Sequence, residues 1–325
     1  MSKKKILILM MSCNDDFFIQ EEEIAKRTWA KDIVENKYEN IDFLAYRGVS
    51  SKHSIDWNKN LFSVRCEDGL DNTFKKTYYT LSIIQKKYDY DYIFRCNTST
   101  YINVPLLDAF VQSIEDDSVL WASELYSLSE GFCPYPLNLF ARGNGFLISR
   151  KLVDIIIKEG ISFIYLKLCD DWVIGNILNS YWIKNGEDYL NHIKSYPHGW
   201  WKCISTNAKN NNSICMYNND NSDFEYMKTF LTVQVKRYHQ RELEHENYQD
   251  LYDTVYKDKV DNDIENTVKN IYTYSQNPNV FIGSILGYIS YNDWLKLDKN
   301  KLYILEVNNK ATDDEQRKNK HSILL

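Results

Sequence analysis

Nowhere does the 325-residue chain come near the roughly 18 consecutive apolar residues of a membrane-spanning helix, so no helical span is expected. A basic excess is also missing. With 39 basic against 45 acidic residues and a net charge of -6, the chain does not suit a nucleic-acid coat, which needs cations to displace counterions; local basic pockets stay open. Seven cysteines, at 13, 66, 96, 133, 169, 203 and 215, are odd in number and include no C-x-x-C pair. Neither a zinc site nor a disulfide framework is indicated, and reduced, mostly buried thiols are expected. No internal repeat is visible. The early apolar run KILILMM is only seven residues long and lacks a small-residue cleavage site, so it reads as a buried strand. A cytoplasmic location is the default expectation, with peripheral contact to a membrane surface left open.

What the chain does have is 44% hydrophobic and 26% charged content, enough for a sizeable core in one large domain or a domain with an appendage. Strand-like and helix-like segments alternate. KILILMM is followed by FFIQEEEIAKRTWAKDIVEN, where Ile19, Ile24, Trp29 and Ile33 fall at helical intervals, and then by the strand IDFLAYR. A second helix is expected in DNTFKKTYYTLSIIQKKY and a second buried strand in DYIFRC, running into a polar loop. Pro105 suits the first turn of a helix through VPLLDAFVQSI, and SVLWASE has strand composition. LNLFARGNGFLISR reads as a strand or hairpin interrupted by Gly143 and Gly145, before helices in KLVDIIIKEG and from near Asp170. TFLTVQVK is one more strand and ELEHENYQDLYDTVYK a further helix. This pattern predicts an α/β fold, a mixed, mostly parallel sheet flanked by helices, with ligands beyond the carboxyl ends of its strands. Residues 1-258 form the expected core, and 259-325 a small C-terminal appendage, mainly helical with a frayed polar tail.

Several segments stand in an order that resembles glycosyltransferase family 31 and its fringe relatives, inverting β-1,3-sugar transferases of the GT-A (Rossmann-like) fold. KRTW at 26-29 resembles the family's Arg-x-Thr-Trp. DGLDNTFKKT at 68-77 resembles Asp-x-Tyr-x-Asn-Leu-Thr-x-Lys-Thr, keeping Asp68, Asn72, Lys76 and Thr77. YPLNLFARGNGFLISRKLV is similar to the family's Tyr-Pro…Gly-Gly-Gly-Tyr-Val-Leu-Ser stretch, and CDDWVIG to its Glu-Asp-Val-Tyr-Val-Gly. FRCNTSTYINV lies where the family carries Lys-Thr-Asp-Asp-Asp, yet it contains no acid. Each motif alone is common, and the weight lies in the ordered set, which spans roughly half the chain. The resemblance implies a nucleotide-sugar donor, most often a UDP-sugar, and a glycan, glycolipid or glycoprotein acceptor. It also implies that Asp171 is the base, with Asp170 in support. A retaining transferase on the same fold, or a catalytically silent nucleotide- or sugar-binding module, remains an alternative.

Residue chemistry gives each position a second reading. Asp170 and Asp171 equally suit a helix N-terminus, where carboxylates meet the macrodipole. Gly143, Asn144 and Gly145 would let backbone approach a sugar, or would mark a bulge; Arg142 beside them is a contact for donor or acceptor, or an ordinary surface arginine. Ser12, Asn14, Asp15 and Asp16 follow the first strand where the fold holds a nucleoside, though turn chemistry explains them too. Lys76, Arg95, Asn97 and Ser99 complete the donor-side candidates. Mn²⁺ or Mg²⁺ is only weakly supported, since Asn97, Thr98 and Ser99 offer no carboxylate. A neutral loop has one advantage: without a metal, an acid ~4 Å from a phosphate would repel it by about 4 kcal/mol at an effective dielectric near 20. The diphosphate would then need other cations, and Lys236, Arg237, His239 and Arg241 are the candidates. His198 or His239 as a lone metal ligand is the weaker reading. Tyr196, Trp200 and Trp201 suit either a sugar platform or the core.

Overall fold

The computed structural model describes residues 2-115, 119-128, 138-165, 167-187, 192-196, 198-200, 228, 230-235, 244-257, 264-269 and 272-273. The first apolar run is β1 (Ile6–Met11), an interior strand of the main sheet. Its residues alternate between two cores: Ile6, Ile8 and Met10 on one face, Leu7 and Leu9 on the other. That is why the run is apolar at every position, as expected of a strand covered on both sides.

β1 pairs in parallel with β2 (Ile41–Val49) and with β5 (Tyr92–Asn97), and β2 in parallel with β4 (Leu61–Arg65). The short β3 (Ser54–Asp56) closes that edge antiparallel to β4. On the other side β8 (Asn138–Ser149) runs antiparallel to β5 and to β7 (Trp121–Leu128). β9 (Ile193–Ser195) is parallel to β7, and β12 (Tyr272–Thr273) is antiparallel to β9. Among the described residues this is a nine-stranded mixed sheet with a parallel centre. A second, three-stranded sheet joins β6 (Thr100–Ile102), β10 (His198–Trp200) and β11 (Thr232–Gln234).

Helices cover both faces. The core around Ile6 and Ile8 takes in Ile24 of α1 (Asp16–Arg27), Ile33 of α2 (Lys31–Val34), Phe110 of α4 (Val104–Ser113) and Tyr248 of α7 (Glu244–Leu251). The opposite core takes in α3 (Thr73–Lys87), α5 (Arg150–Gly160) and α6 (Asp170–Asn185) through Phe74, Leu81, Ile156 and Ile177. α8 (Ile264–Lys269) packs on α4, so residues beyond 258 touch the main body.

Three local expectations change. The long first helix is broken at 28-30, where the Thr28 hydroxyl donates to the Ile24 carbonyl at 2.7 Å and the chain turns into α2. The interruption expected at Gly143 and Gly145 is a bulge inside one continuous strand. The pairing with β7 jumps from Ser123 opposite Phe146 to Leu125 opposite Ala141, so residues 142-145 leave that ladder. Finally, the polar loop after DYIFRC is a two-residue turn between β5 and β6, and its Thr98 and Ser99 are buried.

Candidate functional site

The parallel strands β1, β2, β4 and β5 end on one edge, and α3 and α6 both begin there. α6 opens on the two acids. Asp170 is buried and turned inward: the Arg95 guanidinium donates to its Oδ1 at 2.7 Å, and the Thr77 hydroxyl to its Oδ2 at 2.9 Å. Tyr46 lies 2.8 Å from Thr77 Oγ1 and extends the chain of hydrogen bonds beneath the site. The second nitrogen of the Arg95 fork donates to the Gly143 carbonyl at 2.7 Å. Arg95 therefore joins β5, α6 and the β8 bulge in one contact.

Asp171, unlike Asp170, is partly exposed. Its Oδ1 accepts from the Trp172 backbone N–H at 2.8 Å. Burial raises its proton affinity, the Asp170 charge raises it further, and Arg95 with the Trp172 and Gly143 N–H groups offsets part of this; its pKa is pushed up to about 6. A carboxylate placed this way is ionised near neutral pH and still basic enough to take a proton.

Gly143 shows how tightly the groups converge. A Cβ there would lie 2.9 Å from Asn97 Nδ2, 3.2 Å from Arg95 Nη1 and 3.2 Å from Asp171 Oδ2. The missing side chain is what lets β5, the bulge and α6 meet. Gly145 has a different reason for its size: its Cβ would press on the Phe94 ring at 2.9 Å. Asn144 between them is buried, and its carbonyl accepts from the Thr100 hydroxyl at 2.5 Å.

On the β1 side, Ser12 is buried, with its N–H on the Tyr46 carbonyl at 3.0 Å and its own carbonyl receiving Lys76 Nζ at 2.5 Å. Lys76 also reaches Asp68 at 2.6 Å, and Asp68 takes the Asn14 N–H at 2.7 Å. The Asn14 side chain donates to the Gly48 carbonyl. Lys76 is thus spent on tying the end of β1 to the segment after β4. Asp15 caps α1 by accepting the Phe17 N–H at 2.9 Å, while Asp16 is exposed in its first turn. Met11 links the two halves, its sulfur lying 3.3 Å from Arg95 Nη2 and 3.9 Å from Thr77 Oγ1.

Sequence reasoning did not place Asp68, Thr77 or Gly48 among the site residues. Asp68 and Thr77 stood in the DGLDNTFKKT motif, and that was the available signal. Gly48 sits near the end of β2 without any motif, and only the fold explains it: a Cβ would lie 2.7 Å from the Cys66 carbonyl and 3.0 Å from Asp68 Oδ1.

The acid-free turn is fastened from the C-terminal part of the chain. The Tyr248 hydroxyl lies on the Thr98 carbonyl and 2.8 Å from that of Thr100, and the Val235 N–H donates to the Ser99 carbonyl at 3.0 Å. Asn97, half-buried at the end of β5 just before the turn, shares with Asp171 the space beside Gly143. These residues do not suit Mn²⁺ or Mg²⁺: their side-chain oxygens are neutral, Thr98 and Ser99 are buried, and the two carbonyls are taken. Among the described residues no group of three or more His, Cys, Asp or Glu could hold a metal ion.

Lys236, Arg237, His239 and Arg241 lie outside the described residues, as do Trp201 and the side chains of His198 and Trp200. Tyr196 is buried, packs beside Phe94 at 6.4 Å between ring centroids, and donates to the Gly145 carbonyl. It is a core residue and not a sugar platform. Of the described cysteines, Cys66 and Cys96 are buried and Cys13 partly so, whereas Cys169, next to the acids, is exposed. No helix among the described residues is long and apolar enough to cross a membrane.

No protein-family profile and no curated protein matches the chain. Among solved structures it overlaps with a glycosyltransferase involved in the glycosylation of the major capsid of PBCV-1, at 10% identity and a TM-score of 0.41 over 75% of this chain and 98% of that one. It overlaps with the galactosyltransferase LgtC, in complex with donor and acceptor sugar analogs, at 10% identity and a TM-score of 0.42 over 80% and 99%. The inositol-1-phosphate CTP transferase from T. maritima overlaps at 10% identity and a TM-score of 0.41 over 80% and 98%. At such low identity and TM-score the chemistry has to be read from the residues of the site itself.

Proposed function

We propose that this protein is a glycosyltransferase that moves a sugar from a nucleotide-sugar, a UDP-sugar in the first instance, to a hydroxyl of a glycan, glycolipid or glycoprotein acceptor with inversion. The observation that carries this reading is Asp171: a partly exposed carboxylate of raised proton affinity, at the strand edge where an α/β sheet holds ligands, facing Asn97 and the Gly143 backbone.

In this reaction Asp171 takes the proton of the acceptor hydroxyl as its oxygen bonds to C1 of the donor sugar. The bond from C1 to the diphosphate oxygen breaks on the opposite face, and the nucleoside diphosphate leaves as the anion. The nucleoside would lie along Ser12, Asn14 and Asp16. Asn97 would contact the sugar, whereas Gly143, Asn144 and Gly145, expected on the donor side, are buried with their carbonyls taken by Arg95, Thr100 and Tyr196 and serve to shape the site; no step is routed through a metal. Cations for the leaving group are assigned to Lys236, Arg237, His239 and Arg241. Support for that choice is the position of Val235, the described residue before them, against Ser99.

Titration of UDP-sugars by calorimetry, with EDTA and then with Mn²⁺, tests the reading together with an assay for slow donor hydrolysis. Binding that persists in EDTA, with UDP release, is expected. Binding without UDP release for any donor would favour a silent binding module, and a strict need for Mn²⁺ would remove the metal-free chemistry.

A further inference from the structure

Arg95 stood among the donor-side candidates, yet its side chain is 1% exposed and faces inward. Its planar fork divides between two elements, Nη2 on Asp170 of α6 and Nη1 on the Gly143 carbonyl of the β8 bulge, both at 2.7 Å. The Tyr46 hydroxyl lies beside the guanidinium, and the ring of Phe146 is 5.6 Å from its carbon. Burying two charges carries a desolvation cost that their attraction does not always repay, so stability alone is weak ground for such a pair. What the pair does achieve is geometric. Asp170 is held down by Arg95 and Thr77 and is buried, while the next carboxylate on the helix, Asp171, stays partly exposed.

We propose that Arg95 and Asp170 are positioning residues for Asp171: their ion pair fixes the first turn of α6 against the β8 bulge and so aims the Asp171 carboxylate at the substrate side. The proposal rests on Asp171 acting as the base. The charged and titratable groups facing Asp171 among the described residues are Asp170 and Cys169 at its own helix end and Arg95 of β5; Gly143, packed against it from β8, adds none. Asp170 makes Asp171 harder to ionise and Arg95 makes it easier, so the pair both holds and tunes it. A lysine at 95 would keep the charge but lose the fork that spans two acceptors.

The test is a ¹³C-carboxyl NMR titration of Asp171 in the full chain, for wild type, Asp170→Asn and Arg95→Lys, run beside donor turnover. In Asp170→Asn the Asp171 midpoint should fall toward the ordinary carboxylate range, and the acid limb of the pH–rate profile should move with it. In Arg95→Lys the donor KM should stay within about twofold, while kcat drops about ten- to a hundredfold through misalignment. A folded Asp170→Asn protein with an unmoved midpoint, or Arg95→Lys with wild-type kcat, overturns the proposal. Should Asp170→Asn not fold, Thr77→Val replaces it: this removes one bond to Asp170, leaves both charges, and should lower kcat without raising KM, whereas unchanged kcat counts against the pair. If wild type turns over no UDP-sugar, the titration still decides. A midpoint that moves keeps the pairing while the transferase reading falls, and one that does not move removes the pairing itself.

Discussion

The family resemblance alone separated Asp171, as base, from Asp170, in support; residue chemistry put both equally at a helix N-terminus. In the structure Arg95, 75 residues away, pairs with buried Asp170, while Asp171 stays partly exposed. Gly143 is the other residue on which the site turns. The nearest atom to an added Cβ is the Asn97 amide nitrogen, the far end of a side chain that can rotate, so Gly143→Ala should fold. Its Cβ would displace the very groups that meet there, and donor turnover should fall about a hundredfold with the melting temperature nearly unchanged. A large drop in melting temperature with activity kept per folded molecule would contradict this. Asp171 has a stability signature as well. Because its pKa in the folded state is raised to about 6, the fold favours the protonated form, a contribution present in acid and lost as pH rises from the ordinary carboxylate range through 6.

Among the elements, β1, α3, α5 and α6 were legible because apolar runs and helical spacings report burial directly. The break between α1 and α2 was not, since Thr28 ends the helix by turning its hydroxyl onto a backbone carbonyl, which the apolar spacing does not register. The β8 bulge was half legible: the glycines marked something, but only the neighbours explain them. Gly145→Ala would drive a Cβ to 2.9 Å from Phe94 Cζ, inside a fully buried ring that cannot step aside. A loss of about 1–3 kcal/mol is expected in denaturant unfolding, and Phe94→Leu in the same chain should return part of it. No recovery in the double variant would mean that the strain lies elsewhere.

Across the whole molecule, the acid-free turn is held by residues far along the chain. Tyr248 bonds it from 150 and 148 positions away, and β11 pairs beside it. Contacts of that separation leave no trace in local pattern, so a buried turn read as a polar loop. Tyr248→Phe keeps the ring and removes the bond, and it should lower stability by about 0.5–1.5 kcal/mol. If the clamp matters to the site, weaker donor binding should accompany that loss; unchanged binding would limit Tyr248 to the fold. The transferase assignment itself depends on one proton acceptor, and the pH dependence of donor turnover by wild type and Asp171→Asn tests it most directly. Wild-type turnover should rise with pH through about 6 to a plateau, and Asp171→Asn should bind UDP-sugar without turning it over. A rate that is flat across that range, or an Asp171→Asn protein as active as wild type, would show that Asp171 is not the base.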